Sequence, residues 1–308
     1  MDSTNDTAVF SALSLSLIFV GKCNEEVVNS ILTSLMSRSE VLLNDSLSKM
    51  FGVALGLCYL GKQESCEPAL ETLRTIEHPI ARYCEVMLEA CAYVGSGNVL
   101  KIQQFLQKCT AHEDEKNSLP QSAAVIGIAM IACSEEVGND MAVRSLHHVL
   151  QYCELGVKRS VPIALALLSI SNPKLTITDL LSKFAHDEDA EMSRRAIFAL
   201  GLISAGTNNA RVAGILRGLA SYYERDPKHM FLIRISQGLL HAGKGLVTLD
   251  PFYSDRLLYS KVSMSGLIIV ANAMLDTENL LCGKYHYIMY YLVCSLYPKM
   301  LFTVFFFE

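Results

Sequence analysis

Apolar runs with a small residue in the middle, and another small residue five positions later, recur through the whole chain. "ALSLSLIFVGK", "VALGLCYLGK", "MLEACAYVGSG", "IGIAMIACSEE", "IALALLSISNP", "IFALGLISAGT" and "IRISQGLLHAGKG" stack on one another. The paired small residues are Ser16/Gly21, Gly56/Gly61, Ala90/Gly95, Ala129/Ser134, Ala166/Ser171, Gly201/Gly206 and Gly238/Gly243. The period is roughly 35–40 residues, in the range of solenoid repeats. A looser eighth copy, "SGLIIVANAM", pairs Gly266 with Ala271. Polar turns and a second, amphipathic stretch separate the copies. In "NNARVAGILRGLASYY", Val212, Ile215, Leu216 and Leu219 fall on one helical face.

This pattern predicts helices of two kinds. Runs apolar on nearly all sides are buried helices, and amphipathic stretches are a covering layer. The glycine that ends a run suits a left-handed helix cap, which other residues adopt at a cost. A glycine inside the run costs roughly 1 kcal/mol against alanine, so its recurrence suggests a closely packed neighbouring helix. Gly56, Gly61, Gly95, Gly201, Gly206, Gly238 and Gly243 are therefore read as structural glycines of the repeat. In the sixth copy Ile197, Leu200, Gly201 and Ser204 make a narrow stripe for the next repeat. The fold class is all-α: a curved α-solenoid of paired helices in which each repeat touches mainly its neighbours. It is expected over residues 1–302, in about eight repeats, with a short tail at 303–308.

The same glycines raise a competing chemistry. Gly238, four residues, then Gly243-Lys244 nearly spells a phosphate-binding loop. Such a loop needs a Ser or Thr after the lysine to hold Mg²⁺, and here Gly245 follows. The spelling recurs at Gly56…Gly61-Lys62-Gln63 and at Ser16…Gly21-Lys22-Cys23, again without the hydroxyl. Lys244 is read as a solvated residue after a helix cap, and no cofactor is expected.

With half of its 308 residues hydrophobic, the chain has enough apolar surface for a large core. A net charge of −5 argues against nucleic acid as a main partner. Ten scattered cysteines show no C-x-x-C pair or zinc spacing, and read as reduced thiols packed like small hydrophobes. "AVFSALSLSLIFVG" has Asp2 and Asp6 before it, where a signal peptide wants positive charge. The apolar tail "YHYIMYYLVCSLYPKMLFTVFFF" is interrupted by Pro298-Lys299, and reads as a buried helix followed by a short extended piece. A membrane-anchored helical-repeat protein is the alternative.

No enzyme is expected. His147 and His148 are adjacent on a helix, so they face different ways, one packed and one exposed. Asp187, Glu188 and Asp189 precede "MSRRAIF" and suit the N-terminal end of a helix dipole. No Ser/His/Asp or Cys/His set has the context of a known hydrolase family.

"CAYVGSGNVLKIQQFL", "VPIALALLSISNP", "LSKFAHDEDAEMS", "IFALGLISAGTNNAR" and "GLLHAGKG" resemble the proteasome/cyclosome repeats of the largest non-ATPase base subunits of the proteasome regulatory particle. The likeness runs from about residue 8 to about residue 302. The sibling scaffold subunit of the proteasome, a further alternative reading, and the largest subunit of the anaphase-promoting complex share the repeat. The resemblance implies a non-catalytic scaffold in cytoplasm and nucleus, a toroidal α-solenoid beside the ATPase ring and other regulatory-particle subunits. It also implies docking of ubiquitin, the ubiquitin-like domains of shuttle proteins, and a deubiquitinase. Family members are longer, with earlier repeats and a β-rich C-terminal segment, so the chain is expected to be a fragment, a split gene or a degenerate copy. The family's charged insertion is shrunk to "HEDEKNSLPQS", residues 112–122.

In that family the ubiquitin-like receptor site lies on outer helices matching roughly residues 20–80, and uses acids beside apolar residues. "KQESCEPALETLRTIEHP" offers Glu64, Glu67 and Glu71 there. Glu67 and Glu71 are i, i+4 and share a face, with Leu70 beside them. Ubiquitin's contact face is apolar with a basic rim, which such acids complement. Glu67, Leu70 and Glu71 are the candidate binding residues. Pro68 and Ala69 stand where further acid is expected.

Overall fold

A computed structural model of the chain describes residues 4–111 and 118–299. The first six residues of the charged segment at 112–122, and the tail at 303–308, lie outside the described residues.

The apolar runs form the inner layer: α1 (Asn5–Ile18), α4 (Met50–Cys58), α6 (Pro79–Ala92), α8 (Leu119–Ala132), α11 (Val161–Leu168), α13 (Ala190–Ile203) and α15 (Pro227–Leu240). The amphipathic stretches form the outer layer: α2 (Glu25–Met36), α5 (Glu67–Arg74), α7 (Val99–Thr110), α9 (Glu136–Tyr152), α12 (Leu175–Phe184) and α14 (Ala210–Tyr222). Two one-turn helices, α3 (Glu40–Leu43) and α10 (Leu155–Lys158), lie in the connections, and α16 (Lys261–Ala273) follows the repeats. Each inner helix packs on the next in series, and each outer helix leans on the inner layer. Every residue of α4 and of α11 is buried, whereas α5 buries only Ala69 and Leu73. In α14, Val212, Leu216 and Leu219 are buried as the spacing predicts, and Ile215 is half-buried.

Short polar signals start these helices. Asn24, Asn98 and Asn209 accept hydrogen bonds from the first free backbone N–H groups of α2, α7 and α14, and Asp226 does the same for α15. Proline occupies the first turn of α5, α6, α8, α11 and α15, where no N–H is needed.

The turns closing the inner helices are stitched together one repeat to the next. Gly21 N donates to Leu57 O (3.0 Å), Gly61 N to Cys91 O (3.1 Å), Gly95 N to Met130 O (3.0 Å), Ser171 N to Leu202 O (3.2 Å) and Gly206 N to Leu239 O (2.8 Å). All five donors have positive φ. At Gly206 the space is as decisive as the φ of +64°, because a methyl group there would run into the carbonyl oxygen of Val247.

That contact belongs to a segment absent from the repeat pattern. Residues 247–261 run back along the row of turns. Leu249 N donates to Ser171 Oγ (3.1 Å), and Tyr259 Oη reaches Val94 O (3.4 Å). The eighth copy, α16, does not stack on α15. It crosses to α4, and Tyr83 of α6 donates to its Asn272 (3.1 Å). Gly238 is therefore not a packing glycine: it is exposed, with nothing within 4 Å of a methyl group placed on it, because no inner helix follows α15.

The C-terminal segment closes the arc. Residues 286–295 form a 3₁₀-helix, not the expected buried α-helix, and Tyr290 and Val293 are exposed. Tyr285 Oη donates to Asp6 (2.7 Å), and the Tyr287 ring lies 5.1 Å from that of Phe10. At the other end Thr277 donates to Glu191 (2.6 Å) and Lys228 pairs with Glu278. A two-residue antiparallel pairing, Val247–Thr248 with Tyr297–Pro298, is the sheet among the described residues. Among those residues no helix is long and apolar enough to cross a membrane.

Candidate interaction site on the outer helices

Glu67, Leu70 and Glu71 come together on α5. The two glutamates are exposed and Leu70 is half-buried between them. With Glu64, Arg74, Glu89, Tyr93 and Lys101 they border a groove of about 330 Å³. Cys66 lies at its base, and burial pushes its thiol up to about 11.

Glu89 and Tyr93 at the end of α6 wall the groove, and Lys101 reaches it from α7. Lys101 Nζ lies 2.5 Å from Glu89 Oε1 and 4.8 Å from the centre of the Tyr93 ring. Lys108 reaches the other oxygen of Glu89 at 3.1 Å. Burial raises the Glu89 carboxyl, but the hydrogen bond from Lys101 and the charge of Lys108 outweigh it, and the pKa falls below the ordinary value. Lys101 is thus engaged by Glu89. Glu64, Glu67 and Glu71 form no ion pair with another described residue, which leaves them available to an outside cation. Glu89, Tyr93 and Lys101 escaped the sequence reading because they sit on the next repeat. Only the stacking of repeats brings them to α5.

The structural glycines divide by what they touch. A methyl group at Gly201 would lie 2.8 Å from Ser236 Cα on α15, and one at Gly56 2.9 Å from Cys91 Cβ on α6. At Gly61 it would meet the Tyr259 hydroxyl at 2.8 Å, at Gly95 the Tyr259 ring at 3.1 Å, and at Gly243 the Val247 side chain. Lys244 is exposed with φ +57°, in a turn and not at the start of a helix after a strand. The acids before α13 also find a structural role: Asp189 binds Arg159 through both oxygens, at 2.6 and 3.1 Å. His147 and His148 are both exposed, contrary to the expectation that one is packed, because their helix is an outer one. The His148 ring lies tilted beside that of Tyr152, ring centres 4.4 Å apart.

One constellation was not visible in the sequence. Ser193 Oγ lies 2.8 Å from His229 Nε2, and His229 Nδ1 lies 2.6 Å from Asp226 Oδ2. These are the contacts of a serine hydrolase triad. A nucleophile must meet its substrate, however, and Ser193 and His229 are 1% and 2% exposed. The Tyr223 ring stacks flat on His229 at 4.2 Å. The set ties α13, α14 and α15 together in the interior, where it serves packing. All ten cysteines are free thiols. Burial pushes Cys58, Cys84, Cys109 and Cys133 up to about 12, so they behave as small hydrophobes.

Comparison with known proteins agrees with this architecture. The proteasome/cyclosome repeat matches residues 196–228, which span most of α13, all of α14 and the start of α15. The chain is 51% identical over 299 residues to 26S proteasome non-ATPase regulatory subunit 2 homolog A of Arabidopsis thaliana, covering 97% of this chain and 33% of that protein. It is 46% identical over 292 residues to 26S proteasome non-ATPase regulatory subunit 2 of Dictyostelium discoideum, covering 95% and 32%. It is 41% identical over 307 residues to 26S proteasome regulatory subunit rpn1 of Schizosaccharomyces pombe, covering 98% and 34%. The chain spans about a third of the length of these curated relatives. An all-α repeat arc and this identity over nearly every residue agree: the chain is homologous to about a third of the length of the proteasome non-ATPase regulatory subunit 2 proteins.

Proposed function

We propose that the chain serves as part of a non-catalytic scaffold in the base of the proteasome regulatory particle, beside the ATPase ring, in cytoplasm and nucleus. The observation that carries this reading is 51% identity across 97% of the chain to a protein named as a non-ATPase regulatory subunit. A stack of repeats with a fixed core and a long outer surface suits such a role, because each outer helix can present a separate docking face. On this reading α5 takes ubiquitin or a ubiquitin-like domain of a shuttle protein, with Leu70 meeting the apolar patch and Glu67 and Glu71 meeting its basic rim. A deubiquitinase is a further client of the same scaffold. Expression of the tagged chain in cells, followed by affinity purification in the presence of ATP, tests the reading. Recovery of the regulatory-particle ATPases is expected. Recovery of the chain free of every ATPase overturns it.

A further inference from the structure

Glu89 of α6 stands between two lysines of α7. Its Oε1 takes Lys101 Nζ at 2.5 Å, and its Oε2 takes Lys108 Nζ at 3.1 Å. The two lysines are seven residues apart, two turns along one face of the helix, so a single carboxylate reaches both. Burial lowers the Lys101 pKa, but the hydrogen bond to Glu89 outweighs it and raises the value. The Glu89 side chain is 15% exposed and that of Lys101 22%, so salt screens this pair less than one in open solvent.

Across the groove Glu64, Glu67 and Glu71 are exposed and form no ion pair with another described residue. They are near enough to compete for the same lysine. Burial raises the Cys66 thiol at the base of the groove, and the charges of Glu89, Lys101 and Glu67 all act on it. Burial likewise raises the Tyr93 hydroxyl, and the charges of Lys101, Glu64 and Glu89 act there. A lysine carries its ammonium at the end of a flexible four-carbon stem. Lys101 Nζ, 4.8 Å from the centre of the Tyr93 ring, can swing over that ring to α5 once nothing holds it at Glu89.

We propose that Glu89 is a positioning residue for the α5 face: by holding Lys101 and Lys108 it stops them from neutralising Glu64, Glu67 and Glu71, and so sets the affinity of that face for a partner with a basic rim. The proposal rests on the reading of α5 as a docking face. Glu89 need touch no atom of the partner, because it acts through the lysines. A neutral side chain in its place frees two ammonium groups opposite three acids, and the partner's cations then compete with internal ones. Removing the Lys101 charge makes Glu89 dispensable. A residue that merely packed α6 against α7 would behave otherwise, since loss of Lys101 would add to the damage and not repair it.

The test uses the full chain as wild type, Glu89→Gln, Lys101→Met and the double variant. A ubiquitin-like domain and a tetralysine peptide are each titrated by NMR, with shifts read on the labelled chain at residues 67–74. Glu89→Gln keeps the shape of the side chain and should keep the wild-type circular dichroism. It should weaken both probes about three- to five-fold, the scale of one exposed ion pair. Lys101→Met should bind at least as well as wild type, and the double variant should recover the wild-type affinity. Glu89→Asp, which keeps the charge, should bind like wild type. A loss in Glu89→Gln that Lys101→Met does not repair overturns the proposal, as does an equal loss in Glu89→Asp. If the tetralysine peptide follows the expected pattern and the ubiquitin-like domain binds none of the forms, the role of Glu89 stands and the ubiquitin-like partner falls. If the ubiquitin-like domain binds every form alike, the docking face stands and the role of Glu89 falls. If neither probe shifts residues 67–74 of the wild type, both fall.

Discussion

Ser193 Oγ and His229 Nε2 are 2.8 Å apart across the α13–α15 contact, and this pair makes the stability of the arc depend on pH. Burial holds the His229 imidazole below its ordinary value of 6.5, despite the carboxylate of Asp226 beside it. Charged groups face it from each side: Arg194 and Glu191 on α13 and Asp226 at the start of α15, with Tyr223 of α14 over the ring. Because the folded pKa is depressed, the unfolded chain takes up the proton more readily. The stabilisation is full above about 6.5 and is lost as pH falls below it. For Asp226, burial raises the carboxyl, but the hydrogen bond from His229 outweighs it and lowers the pKa. That stabilisation is present above its ordinary 3.8 and is lost further into acid. Thermal melts from about pH 7.5 to about pH 5 should show a falling midpoint that flattens in His229→Gln. An equal slope in the variant would place the acid sensitivity elsewhere.

Local pattern carried the fold as far as single helices and their caps. The spacing of Val212, Leu216 and Leu219 names a buried face, and Gly206 names a helix end. What it did not carry is the order of packing. Gly238 holds the same place in its run as Gly201, five residues before the closing glycine, yet one is exposed and the other touches Ser236. The difference lies in α16, which crosses to α4 although its own pattern is that of an inner helix. Likewise Glu67 and Glu71 share a face by spacing alone, whereas Lys101 joins their groove only through the stacking of α7. The approach of Val247 to Gly206 comes from residues 41 positions apart. No window of local periodicity contains it.

Gly201→Leu should destabilise the chain by about 3 kcal/mol, because the side chain must force α15 away and break the Ser236–Ile197 hydrogen bond. Gly238→Ala is the matched control. With nothing to meet, it should be neutral or stabilising by up to about 1 kcal/mol through helix propensity. Urea unfolding of both variants measures the contrast, and equal effects would mean that the inner helices are not packed in this register.

Gly206→Ala tests the segment that crosses the turns. Its φ is unfavourable for alanine, and its methyl group would occupy the place of the Val247 carbonyl. A loss of about 2 kcal/mol or more is expected, the strained φ contributing roughly 1. Hydrogen exchange should show residues 247–261 released before the helices. Uniform loss across the chain would contradict a separate crossing segment.

Glu67 and Glu71 are the sharpest test of the docking face. They stand one helical turn apart, exposed, on either side of Leu70. An exposed carboxylate in an ion pair contributes about 0.2–1 kcal/mol, so Glu67→Ala or Glu71→Ala should weaken binding only a few-fold. Reversing both charges replaces attraction by repulsion against a basic rim, and adds two cations to a groove that already holds Lys101 and Arg74. Glu67→Arg with Glu71→Arg should therefore abolish binding. The wild-type affinity should fall as salt is added, because charges on an open face are screened within about 8–10 Å at physiological ionic strength. Labelled ubiquitin and a labelled ubiquitin-like domain, titrated by NMR with wild type and with the double variant, give the answer. Shifts confined to the basic and apolar face of the label, lost with the double variant, are the expected result. Identical shifts with both proteins would move the site away from α5 and leave these glutamates as the solvated start of a helix.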